Sequence, residues 1–289
     1  MRTLLRAPLF ALLAGITASV SGQGRFAKTE IKVTHVAGSV YMLEGAGGNI
    51  GISAGEDGVL IIDSQFAPLS GKISAAIDKL GKGKPMYLLN THWHGDHTGG
   101  NANFSKTADI IAHRNVRKRM SGGSKVVKGA LPVITFDKNI TLNFNGDAIH
   151  AVHFPKGHTD GDSMIFFTKA NVVHMGDHFF SGRFPYIDVG SGGDPKGYLA
   201  NVSRVLKSEI MADTKIIPGH GPLSKKADLE KFRNVIAQSI EVVESGIEAG
   251  KSKADIKGDN FWKDYSDWGW AFINQSRWVD ILHGALSQN

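Results

Sequence analysis

There is no cysteine among the 289 residues of this chain. No disulfide can brace the fold, and no thiolate can bind a metal. Any metal site must be built from histidine, aspartate, glutamate and water. Charge of one sign is also in short supply: 33 Lys and Arg against 27 Asp and Glu leave a formal +6. No basic run exceeds RKR at 117–119, which suits a solvated helix face. So modest an excess speaks against a nucleic-acid partner. The apolar run APLFALLAGITASV at 7–20 falls short of the roughly 20 residues of a membrane helix. No repeat of the length used by solenoids or propellers is visible.

What is present is ample apolar material, 42% of the chain, and 35 glycines. That is enough for one large core. The apolar run follows Arg2 and Arg6 and precedes the small residues Ser19, Ser21 and Gly22. This order of charge, apolar core and small residues is that of a secretory signal. The sequence therefore predicts a signal peptide over 1–22 and one domain over 23–289, the mature chain starting near residue 22 or 23. Loss of Arg2 and Arg6 lowers the charge from +6 to +4. A periplasmic or secreted protein follows, with no stable membrane anchor once the signal is cleaved. The oligomeric state is left open.

Short β-branched runs at 31–45, 49–55 and 58–64, separated by glycine-containing turns, predict an antiparallel meander. Helical spacing of Leu69, Ile73, Ile77 and Leu80 predicts a helix over 68–80. Buried strands are expected at 86–91 and 108–113, and a mobile loop at 121–130. Further strands are expected at 132–136, 139–144, 147–154, 163–168, 171–176 and 214–217. Asp194 and Pro195 open a helix running to 206, and 229–247 carries a long apolar stripe. The aromatic C-terminal end is expected to be partly helical, its tryptophans in the core. Strand clusters alternate with helices in both halves, an α/β pattern satisfied by two sheets with helices on their outer faces.

Residues 91–100 read THWHGDHTGG. His92 and His94, two apart, point the same way in an extended segment, and Asp96 and His97 lie a turn further on. One loop can thus start two metal sites but complete neither, since zinc takes about four ligands. His158 in GHTDGD, Asp177 in MGDHFF and His220 in PGHG each follow a β-rich run and have glycine neighbours. Glycine lets the backbone turn sharply and bring such a side chain to a crowded centre.

HWHGDH, GHTDGD, GDHF and PGHG, in that order, resemble the motifs of the metallo-β-lactamase superfamily over about residues 31–225. The resemblance implies a four-layer αβ/βα sandwich with two Zn2+ ions per chain at one edge. It implies His92, His94 and His158 on the first zinc and Asp96, His97 and His220 on the second. Asp177 matches the carboxylate that bridges both metals in glyoxalase II-like members. The subclass with a cysteine ligand in this region is excluded as a strict match.

The implied activity is hydrolysis of a small-molecule carbonyl substrate by a metal-bridged hydroxide. Two zinc ions bring the pKa of a shared water close to neutrality. Asp96 then serves as both ligand and catalytic proton shuttle. A β-lactam is the first substrate expected. A thioesterase, a lactonase or a non-catalytic metal-binding protein are the alternatives. Thr91, Thr159 and Asp162 are expected to hold the histidines by hydrogen bonds. Arg183, Ser181, Tyr186 and His178 are candidates for substrate contact, and Phe179, Phe180 and Phe184 either wall an apolar pocket or pack the loop. His35, His150, His153 and His174 are expected in the core, and His113 behind the site.

Overall fold

The computed structural model describes residues 21–122 and 126–287. Residues 1–20 of the expected signal, and 123–125 of the expected loop, lie outside the described residues. Ser21–Phe26 forms a short helix whose Phe26 is buried against Phe66. Among the described residues no helix is long and apolar enough to cross a membrane.

Thirteen strands among the described residues form two sheets. The first contains β1 (Lys32–Ala37), β2 (Val40–Glu44), β3 (Ile50–Gly55), β4 (Gly58–Ile62), β5 (Pro85–Leu89), β6 (Asp109–His113) and β7 (Ile134–Phe136), side by side in that order. β1 to β4 are antiparallel, and β4 to β7 are parallel. The second sheet contains β8 (Asn139–Phe144), β9 (Asp147–His153), β10 (Ser163–Phe167), β11 (Val172–His174), β12 (Lys215–Ile217) and β13 (Ser224–Lys225), in the order β13-β12-β11-β10-β9-β8. The segment 31–45 divides into a hairpin because Gly38 takes φ +54°, a left-handed conformation that glycine adopts without steric penalty.

Three apolar layers separate four structural ones. In a strand successive side chains face opposite ways. Val59 and Ile61 of β4 pack towards Leu69, Ile73 and Ile77 at helix Ser70–Asp78. Leu60 and Ile62 face Ile149, Ile165 and Ile217 of the second sheet. Val173 of β11 and Ile216 of β12 face the helices Pro195–Arg204, Lys226–Glu248 and Gln275–Leu286. This is why the strands read as unbroken apolar runs: both faces are buried. Each fully buried Val, Leu or Ile contributes about 1.5–3 kcal/mol. The stripe Leu229, Phe232, Ile236, Ile240 and Val243 is buried, as its spacing requires. Together the layers make the four-layer αβ/βα sandwich.

The layers matter because five strands end at one edge. β4 ends beside Asp63, β5 beside His92, β9 before His158, β11 before Asp177 and β12 before His220. The carboxyl edge of an α/β sheet, where strands stop and loops turn, commonly collects a site.

Candidate metal centre

The seven side chains form two groups. His92, His94, His158 and Asp177 make one, and Asp96, His97 and His220 the other. Within each group, one candidate ligand atom per residue lies within 4.8 Å of the rest. Asp177 faces both. Its Oδ2 is 3.7 Å from His92 Nε2 and 3.4 Å from His158 Nε2. Its Oδ1 is 3.1 Å from His97 Nε2 and 3.4 Å from His220 Nε2. Asp96 Oδ2 is 3.4 Å from His220 Nε2 and 3.8 Å from His97 Nε2.

These separations fit a metal. Two ligands about 2.1 Å from a tetrahedral zinc stand roughly 3.4 Å apart. His92 Nε2, His97 Nε2 and Asp177 Oδ1 are buried without a hydrogen-bond partner. Buried polar atoms are nearly always partnered, and three orphans pointing at one centre call for a cation.

The outer nitrogens explain how the rings are held. Asp63 is fully buried, and its Oδ2 accepts from His97 Nδ1 at 2.7 Å and from Thr91 Oγ1 at 2.6 Å. Its Oδ1 accepts from the Thr91 backbone N–H at 2.8 Å. With its proton given to Asp63, Thr91 Oγ1 accepts from His92 Nδ1 at 3.0 Å. One carboxylate therefore fixes the tautomers of two ligands and leaves both Nε2 lone pairs inward. Asp63 sits at φ +65°, a conformation that costs a non-glycine residue energy and recurs at functional sites.

His94 Nε2 donates to Asp188 Oδ2 at 2.9 Å, and His158 Nδ1 donates to the Tyr186 carbonyl at 2.7 Å. The remaining lone pairs, His94 Nδ1 and His158 Nε2, then face each other at 2.8 Å, an arrangement that repels unless a positive charge lies between them. Asn49 ties the loops together. Its side-chain amide donates to the carbonyls of Pro218 and Gly221, and its backbone N–H to Gly219. A Cβ on Gly219 would collide with Asp177 Oδ1, and one on Gly48 with the His97 ring. Only glycine lets these two loops come so close.

Burial, with His97 nearby, holds His92 well below the usual histidine range, and burial holds His158 at about 4. Both rings are thus neutral and ready to ligate. Burial would raise Asp96, but His97 and the His220 hydrogen bond outweigh it and hold it at about 2. Burial disfavours charge on His97 too, yet Asp177, Asp96 and Asp63 around it raise it well above its ordinary value. Three carboxylates about one ring demand a positive charge, which a divalent ion supplies.

A cleft of about 740 Å³ opens over Asp96, Asp177, His94 and His220. Of the residues expected to touch substrate, Tyr186 lines it. Ser181 does not: its Oγ is hydrogen-bonded to Ser224 Oγ at 2.9 Å. Arg183 lies off the cleft, its guanidinium over the Trp270 ring at 5.5 Å. His178 is buried, stacked on Tyr198 and 3.2 Å from Asn201 Nδ2. It lies under the site because the tight turn Gly176–His178 sends neighbouring side chains different ways. Phe180 lines the cleft, whereas Phe179 and Phe184 pack in the core.

Thr159 and Asp162 bond each other rather than a ligand ring, at 2.8 and 2.5 Å. Burial raises Asp162 to about 8 despite those bonds. His174 is buried and reaches the Asn49 carbonyl, but His35 is exposed. His113 stacks on His153 at 3.7 Å and caps the helix Arg114–Ser121 instead of backing the metal ligands.

Asp63, Asp188, Asn49 and Trp270 were not read as site residues from the sequence. Asp63 carries a usable signal, an aspartate closing the apolar run LIID, the same placement that singles out Asp177. Asp188 and Asn49 lie in glycine-rich turns with nothing to distinguish them. Trp270, expected in the core with the other C-terminal tryptophans, instead lines the cleft with Phe272.

Known proteins agree with this architecture. A family model described as the metallo-beta-lactamase superfamily matches residues 36–220. The alpha subunit of 2,4-dinitroanisole O-demethylase from Nocardioides sp. (strain JS1661) is 24% identical over 212 residues, 70% of this chain and 62% of that one. Hydroxyacylglutathione hydrolase from Erythrobacter litoralis is 31% identical over 125 residues, 41% of this chain and 43% of that one. The chain thus spans less than two thirds of either relative's length. A solved metallo-beta-lactamase from Pontibacter korlensis superposes with a TM-score of 0.61 at 17% identity, covering 72% of this chain and 99% of that one. The DIM-1 metallo-beta-lactamase also gives 0.61, at 18% identity, covering 73% and 98%. At such identities the likeness is one of fold. The family match spans most of the chain and takes in all seven converging side chains, and the protein belongs to the metallo-β-lactamase superfamily.

Proposed function

We propose that this protein is a dinuclear zinc hydrolase acting on a small-molecule ester or thioester. The observation that carries this reading is Asp177, which turns one oxygen to each histidine group below an open cleft. Two zinc ions held by the seven residues would supply a water ionised near neutral pH and polarise the carbonyl under attack.

The chain's own residues do the rest. Asp96, partly exposed at the cleft floor, takes up the proton released from water and returns it to the leaving group. Asp63, through His97 and through Thr91 to His92, keeps two rings in their ligating tautomers. The aromatic walls hold the substrate body and exclude water, which strengthens every charge interaction inside.

A thioester or ester is preferred to a β-lactam for two reasons. Hydroxyacylglutathione hydrolases, whose named substrate is an acyl thioester, are among the curated relatives. Of Arg183, Ser181 and Tyr186, the candidates to grip a lactam carboxylate, only Tyr186 lines the cleft, and the one cationic side chain of the three, Arg183, stands outside it. The test is metal analysis of the purified protein, followed by a turnover panel of thioesters, aryl esters, lactones, β-lactams and phosphodiesters. We expect about two zinc ions per chain and fastest turnover on the thioesters or esters. Turnover of phosphodiesters alone, or activity indifferent to zinc removal, overturns the reading.

Export belongs to the same proposal, and rests on the order of residues in 1–22. N-terminal sequencing of protein recovered from the producing cell's periplasm or medium should find a start at residue 22 or 23. A chain retained inside the cell and still beginning at Met1 would overturn export.

A further inference from the structure

Six aromatic residues line the cleft: Phe66, Trp93, Phe180, Tyr186, Trp270 and Phe272. Among the described residues, no Leu, Ile, Val or Met lines it. A groove for a flexible aliphatic chain is ordinarily built from those residues, and this one has none. Three of these aromatic rings form an arc that runs from His220 in one group of ligands to His94 in the other. His220 lies 5.7 Å from Trp270, Trp270 5.7 Å from Phe272, Phe272 5.3 Å from Tyr186, and Tyr186 5.8 Å from His94. A body lying against the arc is therefore brought up to both groups at once.

The arc is held in shape from outside the family-matched segment. Trp270 Nε1 donates to the Phe184 carbonyl at 2.9 Å, and its backbone N–H to Ile273. Ile273 is fully buried and anchors the turn, which leaves Phe272 exposed at its tip.

Charge narrows the choice further. Arg277 lies over the rings of Phe272 at 4.2 Å and Tyr186 at 5.8 Å, and Arg183 over Trp270 at 5.5 Å. Neither arginine lines the cleft. These rings already spend their π-face attraction on guanidinium, which disfavours a second cation. Of the carboxylates in the lining, Asp96 and Asp177 would be neutralised by the metal they hold and Asp188 is already hydrogen-bonded to His94, so none is left free to hold a cationic body.

We infer that the cleft selects a substrate with a flat aromatic body that carries no positive charge, stacked on Trp270 and Phe272 while its scissile bond faces the ligand groups. This inference rests on the hydrolase reading for the scissile bond, but not for the binding preference. Offset or edge-to-face aromatic contacts are worth about 0.5–1.5 kcal/mol beyond area burial, up to roughly tenfold in affinity per ring.

The test is calorimetry on the zinc-loaded full chain with three unreactive probes: 2-naphthamide, its saturated counterpart decahydronaphthalene-2-carboxamide, and 2-naphthyltrimethylammonium. We expect 2-naphthamide to bind about tenfold more tightly than either of the others. Phe272→Ala, a change at an exposed position, should weaken 2-naphthamide up to about tenfold and the saturated amide by less than about threefold. Trp270→Leu should act in the same direction, with circular dichroism confirming that it folds. Equal binding of the flat and the puckered amide overturns the aromatic preference. Equal or tighter binding of the cationic probe overturns the charge selection. A retained preference for 2-naphthamide with no turnover of any ester would support the inference and sink the hydrolase reading instead.

Discussion

His92 and His158 are walled in, whereas His94, Asp96 and His220 look into the cleft. His92 and His158 are each 1% exposed, against 28% for Asp96 and 11% for His220. What stands behind the two groups differs as well. The first is held by Thr91, Asp188 and the Tyr186 carbonyl, three separate partners on two loops. The second depends on Asp63 behind His97 and on Asn49 behind the His220 loop. The difference suggests a division of labour. We expect the first group, with His92 and His158 sealed off, to retain an ion longer than the second, whose Asp96 and His220 face the cleft.

The change that should most damage both groups is Asp177→Ala, because that carboxylate alone faces each. Zinc content should fall from about two per chain to one or fewer, and turnover by about a thousandfold, the several kcal/mol a metal contributes. Full occupancy by elemental analysis would refute the shared ligand.

Asp63→Ala should separate the groups less cleanly but cost more stability. It strands the His97 Nδ1–H, the Thr91 N–H and the Thr91 hydroxyl in the interior. Removing one member of a buried charged network typically costs about 3–5 kcal/mol. Urea denaturation should show this as a lower midpoint, and an unchanged midpoint would mean that the network is not what holds the rings.

Chelation should then resolve the comparison directly. Zinc should leave in two steps, the cleft-facing ion first. Asp188→Asn, which weakens the partner of His94, should ease the second step by about tenfold and leave the first nearly unmoved. A single-step loss in wild type would erase the distinction between the two groups.

The smallest effects are expected outside both groups. Ser181→Ala and Arg183→Ala should each change kcat/KM by less than about threefold, since neither lines the cleft. A larger loss with a β-lactam than with a thioester would return these residues to the substrate site.

Much of the ligand set was legible because of where ligands must sit. A histidine or aspartate ending an apolar run, beside glycine, is already at a strand's carboxyl edge and free to turn inward. Asp177 and His220 have that signature, and His158 follows a β-rich run with Gly157 beside it. The helix stripe at 229–243 was legible for a similar reason, because one face of the helix meets one core. The supports were harder to read. Asp188 acts on His94 across 94 positions, and Asn49 on the His220 loop across 169. Trp270 looked like core because its neighbours Trp262, Trp268 and Trp278 are core, and nothing local marks the one that faces the cleft. His178 shows the converse, since adjacency to Asp177 in the chain did not carry it to the cleft.

From its own order of residues the chain determined its strands, its long helix and the chemical identity of its ligands, because periodicity and donor type are local properties. Tertiary structure alone decided which nitrogen of each ring faces inward, that Asp177 is shared, and that aromatic rings from the C-terminal segment wall the cleft. These are distances between residues far apart in the chain, and they exist only once two sheets have packed face to face and brought their loops together.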